Sequence, residues 1–206
     1  MLARYVVDGL DGGLVALVEA TIPLGQVATS ALLSYAPDRI PVDAVDTVIA
    51  FSFGNRVAPD GTTTAGPMNE DLAATIERFV ARRPVPVFAQ HEIAHLLAHN
   101  GVERVTSIDP AVGPDGGLIY LSTAGVAEAI VHRAVLAGTE LGVVGVIGFA
   151  DHVVRCVLTA RAVGLTAGVP DGVMLPSTYD PESGQPWTRD RRSYLSADLL
   201  GRVATR

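Results

Sequence analysis

Short runs of Val, Ile, Ala and Phe recur along this chain, and a stretch with helical spacing follows almost every one. The runs are Asp46–Phe53 (DTVIAFSF), Val85–Ala89, Val102–Ile108 and Val143–Phe149. Runs this short and this apolar fit strands buried on both faces. The stretches between them are amphipathic. Asn69 is placed to cap a helix through about Arg82, with Leu72, Ile76, Phe79 and Val80 as its inward stripe. A helix after Ala89 runs through Ala98 and stops at Asn100-Gly101, and Ser122 or Thr123 caps another to about Leu141. A further helix carries Val153, Val154, Val157, Leu158 and Ala162 and ends at Gly164. Strand and helix in strict alternation imply right-handed crossovers and a parallel sheet. The expected fold is therefore α/β, a Rossmann-like three-layer arrangement with a mainly parallel sheet. A short strand is expected at Leu118–Leu121, a last strand at Val173–Leu175, and a C-terminal loop-helix extension with its helix from about Arg192 to Arg202.

The first 40 residues read differently. Leu14, Leu17, Val18 and Ile22 give a short helical spacing that Pro23 and Gly25 interrupt, and Pro37 and Pro41 bracket the passage onward. Residues 1–40 are expected to form a helical arm that packs on the main domain, 41–206, or on a second copy, so that a homo-oligomer is expected to form through it. The stretch from Gly9 to Leu33 contains Asp11, Glu19 and Pro23 and lacks a basic lead-in, which argues against a signal peptide or membrane span. The composition is 49% hydrophobic, enough for a core on both sheet faces. A net charge of −7 without a basic stripe argues against nucleic acid as partner. Cys156 is the sole cysteine and lies in an apolar helical run, so no intrachain disulfide is available and a cytoplasmic location is expected.

Parallel sheets bind ligands beyond the carboxyl ends of their strands, near the point where strand order reverses. That rule selects Ser52, Gly54, Asn55 and Arg56 after the first strand, and Gln90, His91 and Glu92 after the second. Ser107 and Asp109 follow the third, and Asp151, His152 and Arg155 the fourth. His152-x-x-Arg155 opens a helix, where free amides and the helix dipole favour an anion, with surface pairing as the plain alternative. Arg56, His152 and Arg155 are expected to hold a phosphate- or carboxylate-bearing small molecule, with Glu92 or Asp151 handling protons. His91-Glu92-Ile93-Ala94-His95 fits H-E-x-x-H, in which two imidazoles one turn apart bind zinc and the glutamate serves as base. His99, Glu103 or Asp109 are the available third ligands. The match opens a short helix behind a buried strand, so a zinc-dependent hydrolase is the alternative and no metal is favoured. A third alternative is a noncatalytic partner-binding subunit. Phosphate-loop, G-x-G-x-x-G and G-x-S-x-G patterns are absent, and Gly142, Gly145 and Gly148 are expected to permit close helix packing. Near the C-terminus, Tyr179, Asp180, Gln185 and Arg189 offer ligand contacts, and the only tryptophan, Trp187, either walls a pocket or anchors its loop.

Three segments carry a family resemblance: DTVIAFSFGNRVAPDG, MNEDLAATIERFV and VVGVIGFADHVVRCVLTARAVGL. Over roughly Val45 to Leu165 the chain resembles the YdcF/SanA/ElyC-like family of bacterial α/β proteins, as a version without a membrane anchor. The third segment is similar to that family's strand, His-x-x-Arg, and helix ending in Gly. Ser122 and Thr123 with Glu128 stand where the family has a polar Ser/Thr-Glu-Asn segment. Ala124-Gly125 and Gln90-His91-Glu92 depart from the family pattern. What the resemblance implies is a Rossmann-like ligand site, with a nucleotide or S-adenosylmethionine as the cofactor class. The ligand-binding residues expected from all these readings are Asn55, Arg56, Gln90, Ser122, Thr123, Arg155, Tyr179, Trp187 and Arg189. Glu92, Asp151 and His152 are the catalytic set.

Overall fold

A computed structural model describes residues 36–112 and 118–204. The arm proposed for 1–40 lies almost wholly outside the described residues, as does the tip of the loop at 113–117. Six strands form one all-parallel sheet: β1 (Arg39–Ile40), β2 (Thr47–Ala50), β5 (Val87–Gln90), β6 (Val105–Ile108), β9 (Val143–Ile147) and β10 (Thr166–Pro170). Their order is β1-β10-β9-β2-β5-β6: β1 takes one edge, the chain then enters the middle at β2, builds outward through β5 to β6, and returns through β9 and β10 to meet β1. Two antiparallel hairpins stand apart from the sheet, β3 (Arg56–Val57) with β4 (Thr63–Thr64), and β7 (Ala111–Val112) with β8 (Leu118–Ile119). The helices are α1 (Gly66–Val80), α2 (His91–His99), α3 (Thr123–Leu136), α4 (Val153–Ala162) and α5 (Arg191–Ala204).

The period of two along β2 divides the core. Val48 and Ala50 face α1 and α2, together with Leu72, Ile76, Phe79, Ile93 and Leu97. Ile49 and Phe51 face α3 and α4, together with Ile130, Val146 and Val157. Layers of helix, sheet and helix result, each apolar strand face covered. Cys156 is fully buried in the second layer. No described helix is long and apolar enough to cross a membrane.

Several boundaries move for physical reasons. The last strand is Thr166–Pro170, not Val173–Leu175: Gly164, at φ 89°, ends α4 and the chain enters the sheet at once. Val173 is instead a buried side chain on irregular backbone. α3 stops at Leu136 rather than Leu141, because Gly138 takes φ 60°. Asn69 is not the cap of α1; it lies inside the first turn, and Ala65 occupies the cap position. Gly145 admits neighbouring strand residues rather than a helix. A methyl there would lie 2.9 Å from Pro170 and 3.0 Å from Val45. Residues 39–40, at the end of the proposed arm, are the sheet's edge strand.

Candidate active site at the ends of the central strands

Strand order reverses between β2 and β9, and their carboxyl ends should open a crevice there. The chain fills it itself. Phe53 and Phe149 stack with ring centroids 4.1 Å apart and planes within 2°. Tyr179 and Tyr194 from the C-terminal segment meet this pair edge-on, Tyr179 4.8 Å from Phe149 and Tyr194 4.7 Å from Phe53. Burial raises both phenol pKa values far above the ordinary one, so both hydroxyls stay neutral donors.

The polar residues expected to hold an anion are gathered at this place, but the same segment engages them. Arg56 donates through Nε and Nη2 to Asp180, at 2.8 and 3.0 Å, and meets Glu182 at 2.9 Å. This hydrogen bonding holds the Asp180 carboxyl below its usual range. Arg155 donates to Asp198 at 2.7 Å and to the Tyr194 hydroxyl at 3.2 Å. His152 Nδ1 lies 2.7 Å from that hydroxyl. Asp151 accepts two bonds from Arg191, at 3.0 and 3.2 Å, and one from Tyr179 at 3.0 Å. Asn55 accepts the Gly184 amide on its carbonyl at 2.7 Å, and Arg189 donates to the Ser183 carbonyl at 2.6 Å. Asn55, Arg56, Asp151, His152, Arg155 and Tyr179 thus fasten the C-terminal segment to the sheet, while Arg189 bonds within that segment. The segment is deeply seated, since Ser183, Tyr194 and Asp198 are all buried. A nucleotide or S-adenosylmethionine, the group implied by the family resemblance, does not fit this crevice, because four aromatic rings occupy it. Trp187 is half exposed, and its neighbour Thr188 is the buried anchor of that turn.

One strand over, at the ends of β2 and β5, the chemistry is open. β5 runs directly into α2, so His91 and Glu92 stand at the carboxyl edge of the sheet. Gln90 reaches across to β2, its Oε1 accepting the Ser52 amide at 3.2 Å. Glu92 is 6% exposed. One of its oxygens, Oε2, lies 3.1 Å from His91 Nδ1 but out of hydrogen-bond alignment, leaving both atoms without a partner. Burial raises the Glu92 pKa, against the opposing pull of His91. His95 is exposed one turn on, its ring centroid 6.0 Å from that of His91. Tyr120 borders His91 at 5.6 Å, and its hydroxyl lies 3.2 Å from that of Thr63, joining the two hairpins as a rim. Ser122 caps α3 by accepting the Gly125 amide at 3.1 Å, with Thr123 beginning that helix.

For zinc the ligand set is incomplete. Two imidazoles project from one face of α2, but among the described residues no three His, Cys, Asp or Glu side chains converge to hold a metal ion. Sequence reasoning missed the partners that decide these roles: Tyr194, Asp198, Tyr120 and Asn69. Asn69 accepts the Phe53 amide at 2.8 Å and donates to the carbonyls of Gly54, at 2.8 Å, and Ala65, at 2.7 Å. It thereby shapes the loop that carries Ser52. A polar residue within an apolar helical stripe was the one available signal for it. No protein-family model, curated protein or solved structure matches the chain.

Proposed function

We propose that the chain is a small-molecule enzyme acting on an anionic, phosphate- or carboxylate-bearing substrate at the carboxyl ends of β2 and β5. Glu92 is its acid–base group, and His91 and His95 face the anion. The observation that carries this reading is the enclosed Glu92 carboxyl, whose Oε2 has no hydrogen-bond partner and lies 3.1 Å from His91. Buried polar atoms are paired as a rule, and an orphan is worth explaining by function. A carboxyl raised toward neutrality exchanges protons more effectively near pH 7 than one at its ordinary value. Protonated, it also places no charge against an incoming anion. A cytoplasmic setting, no nucleic-acid partner and self-association through residues 1–40 complete the proposal.

The test reads Glu92 directly. Carbon NMR of the side-chain carboxyl should show a midpoint above the ordinary glutamate value; an ordinary midpoint would overturn the reading. Stability follows with a definite sign. A carboxyl raised on folding contributes stability below its unfolded pKa, and that contribution disappears as pH rises through the raised value. Glu92→Gln should therefore be about 0.5–2 kcal/mol more stable than wild type at pH 8, the usual gain on relieving a strained functional group. The advantage should shrink at pH 4, as denaturant unfolding at the two pH values will report. Inorganic phosphate or succinate should raise the wild-type melting temperature, and raise it less in His91→Ala and His95→Ala.

A further inference from the structure

The C-terminal half of α1 and the turn after β10 leave an open groove of about 590 Å³ between them. Its floor is apolar: Phe79 and Val173 are buried there, and Met174 stands 87% exposed on the wall. Arg78, in the last turn of α1, and Arg82 border it, both exposed. Among the described residues neither guanidinium has a carboxylate partner. Thr75, the one uncharged polar side chain of the lining, is already engaged. Its hydroxyl donates to the Asp71 carbonyl at 2.8 Å and accepts from Arg78 at 2.9 Å. Small-molecule sites fix their ligands with a few convergent polar groups, which this groove does not offer. An apolar floor, a projecting methionine and two rim guanidiniums instead suit the apolar face of an acidic helical peptide.

The chain itself carries such a peptide. Leu14, Leu17, Val18 and Ile22 recur at helical spacing, and residues 1–35 hold Asp8, Asp11 and Glu19 against Arg4 alone. Where this stretch joins the domain gives it a direction. Arg161, in the last turn of α4, pairs with Asp38 and donates to the Ala167 carbonyl. The residues just before β1 are thereby held on the α4 side of the sheet edge, whereas the groove opens on the α1 side. We propose that the groove receives residues 14–22 of a second copy, each arm lying in the other's groove about a two-fold axis. The proposal rests on self-association through residues 1–40 and names the surface that receives the arm. The apolar stripe of the arm covers Phe79, Val173 and Met174, and its acids meet Arg78 and Arg82.

Paired cysteines in the full chain read the contact, since the native Cys156 is fully buried and does not compete. Leu17→Cys is made in an isotopically light chain and Met174→Cys in a heavy one, and the two are mixed and oxidised. The expected product is a disulfide joining light to heavy chain, located by peptide mass spectrometry. Sedimentation should show self-association about 10–100-fold weaker in Met174→Glu and in Arg78→Glu/Arg82→Glu, the scale of losing an interface anchor. The deficit of the charge-reversed pair should narrow at high salt. The replaced side chains are exposed, so the fold is not at stake. Absence of the mixed disulfide overturns the proposal. So does a Leu17→Cys/Met174→Cys chain that closes its disulfide within itself, because the arm then fills its own groove. A wild type that stays monomeric removes self-association and the groove contact together. Self-association unmoved by the groove substitutions removes the groove contact alone.

Discussion

Arg155 has the sequence credentials of an anion-binding residue and the surroundings of a structural one. It stands in the first turn of α4, at the carboxyl end of β9, where a guanidinium and free amides could converge on a ligand. Its Nε instead meets Asp198, whose side chain is fully buried, and its Nη2 meets Tyr194. Breaking a buried pair from one side is costly because the remaining charge is stranded. Arg155→Ala should therefore lower unfolding free energy by about 3 kcal/mol, measured in urea, while phosphate binding at His91 and His95 hardly moves. Arg155→Lys should recover only part of this, since a point charge cannot replace a fork that serves two oxygens. A ligand-affinity loss without a stability loss would restore the anion-site reading. No local pattern reveals such a partner. His152-x-x-Arg155 looks the same whether the guanidinium faces a ligand or an aspartate 43 positions later.

The loop from β2 into α1 shows the same limit for an element. The strand was readable because Thr47, Val48 and Ile49 are β-branched and Val48–Phe51 is an apolar run, and the helix because Leu72, Ile76 and Phe79 recur at helical spacing. How the two are joined was not, because the join depends on one buried amide. Asn69 is fully buried and satisfies the Phe53 N–H and the Gly54 and Ala65 carbonyls together. Asn69→Ala should cost about 3 kcal/mol, since buried backbone groups lose their partners. Asn69→Asp is the sharper variant. Its carboxylate can still accept from Phe53 but must face two carbonyl oxygens, so its stability deficit should be larger at pH 8 than at pH 4. A deficit independent of pH would mean that the carbonyls turn away. The first hairpin was missed for a related reason, since two-residue strands such as Thr63–Thr64 carry no hydrophobic period; of the second, only the strand at Leu118–Ile119 was expected.

Across the molecule, alternation of strand and helix announced a parallel sheet but not the order of its strands. Order is decided by which apolar faces meet, and the reversal between β2 and β9 follows from α1 and α2 covering one face and α3 and α4 the other. The reversal in turn creates the crevice that the C-terminal segment closes. Tyr179 and Tyr194 cover the Phe53–Phe149 stack, and Asp180, Arg191 and Asp198 pair with Arg56, Asp151 and Arg155. The contacts span 28 to 141 positions in sequence, which is why a polar, turn-rich stretch read as ligand-binding loop rather than as part of the core. If this segment completes the fold, a chain ending at Pro176 will expose the two phenylalanines and strand two buried polar residues, Asp151 and His152, together with the half-buried Arg155. Such exposure binds hydrophobic dyes and drives association. The truncated chain should bind anilinonaphthalene sulfonate, aggregate at micromolar concentration and lose its cooperative thermal transition. A gated site makes the opposite forecast: truncation would leave a monomeric, cooperatively melting protein with a newly accessible aromatic crevice, able to bind adenosine. Sedimentation and calorimetry on that single chain decide whether the segment is part of the fold or a cover over a second site.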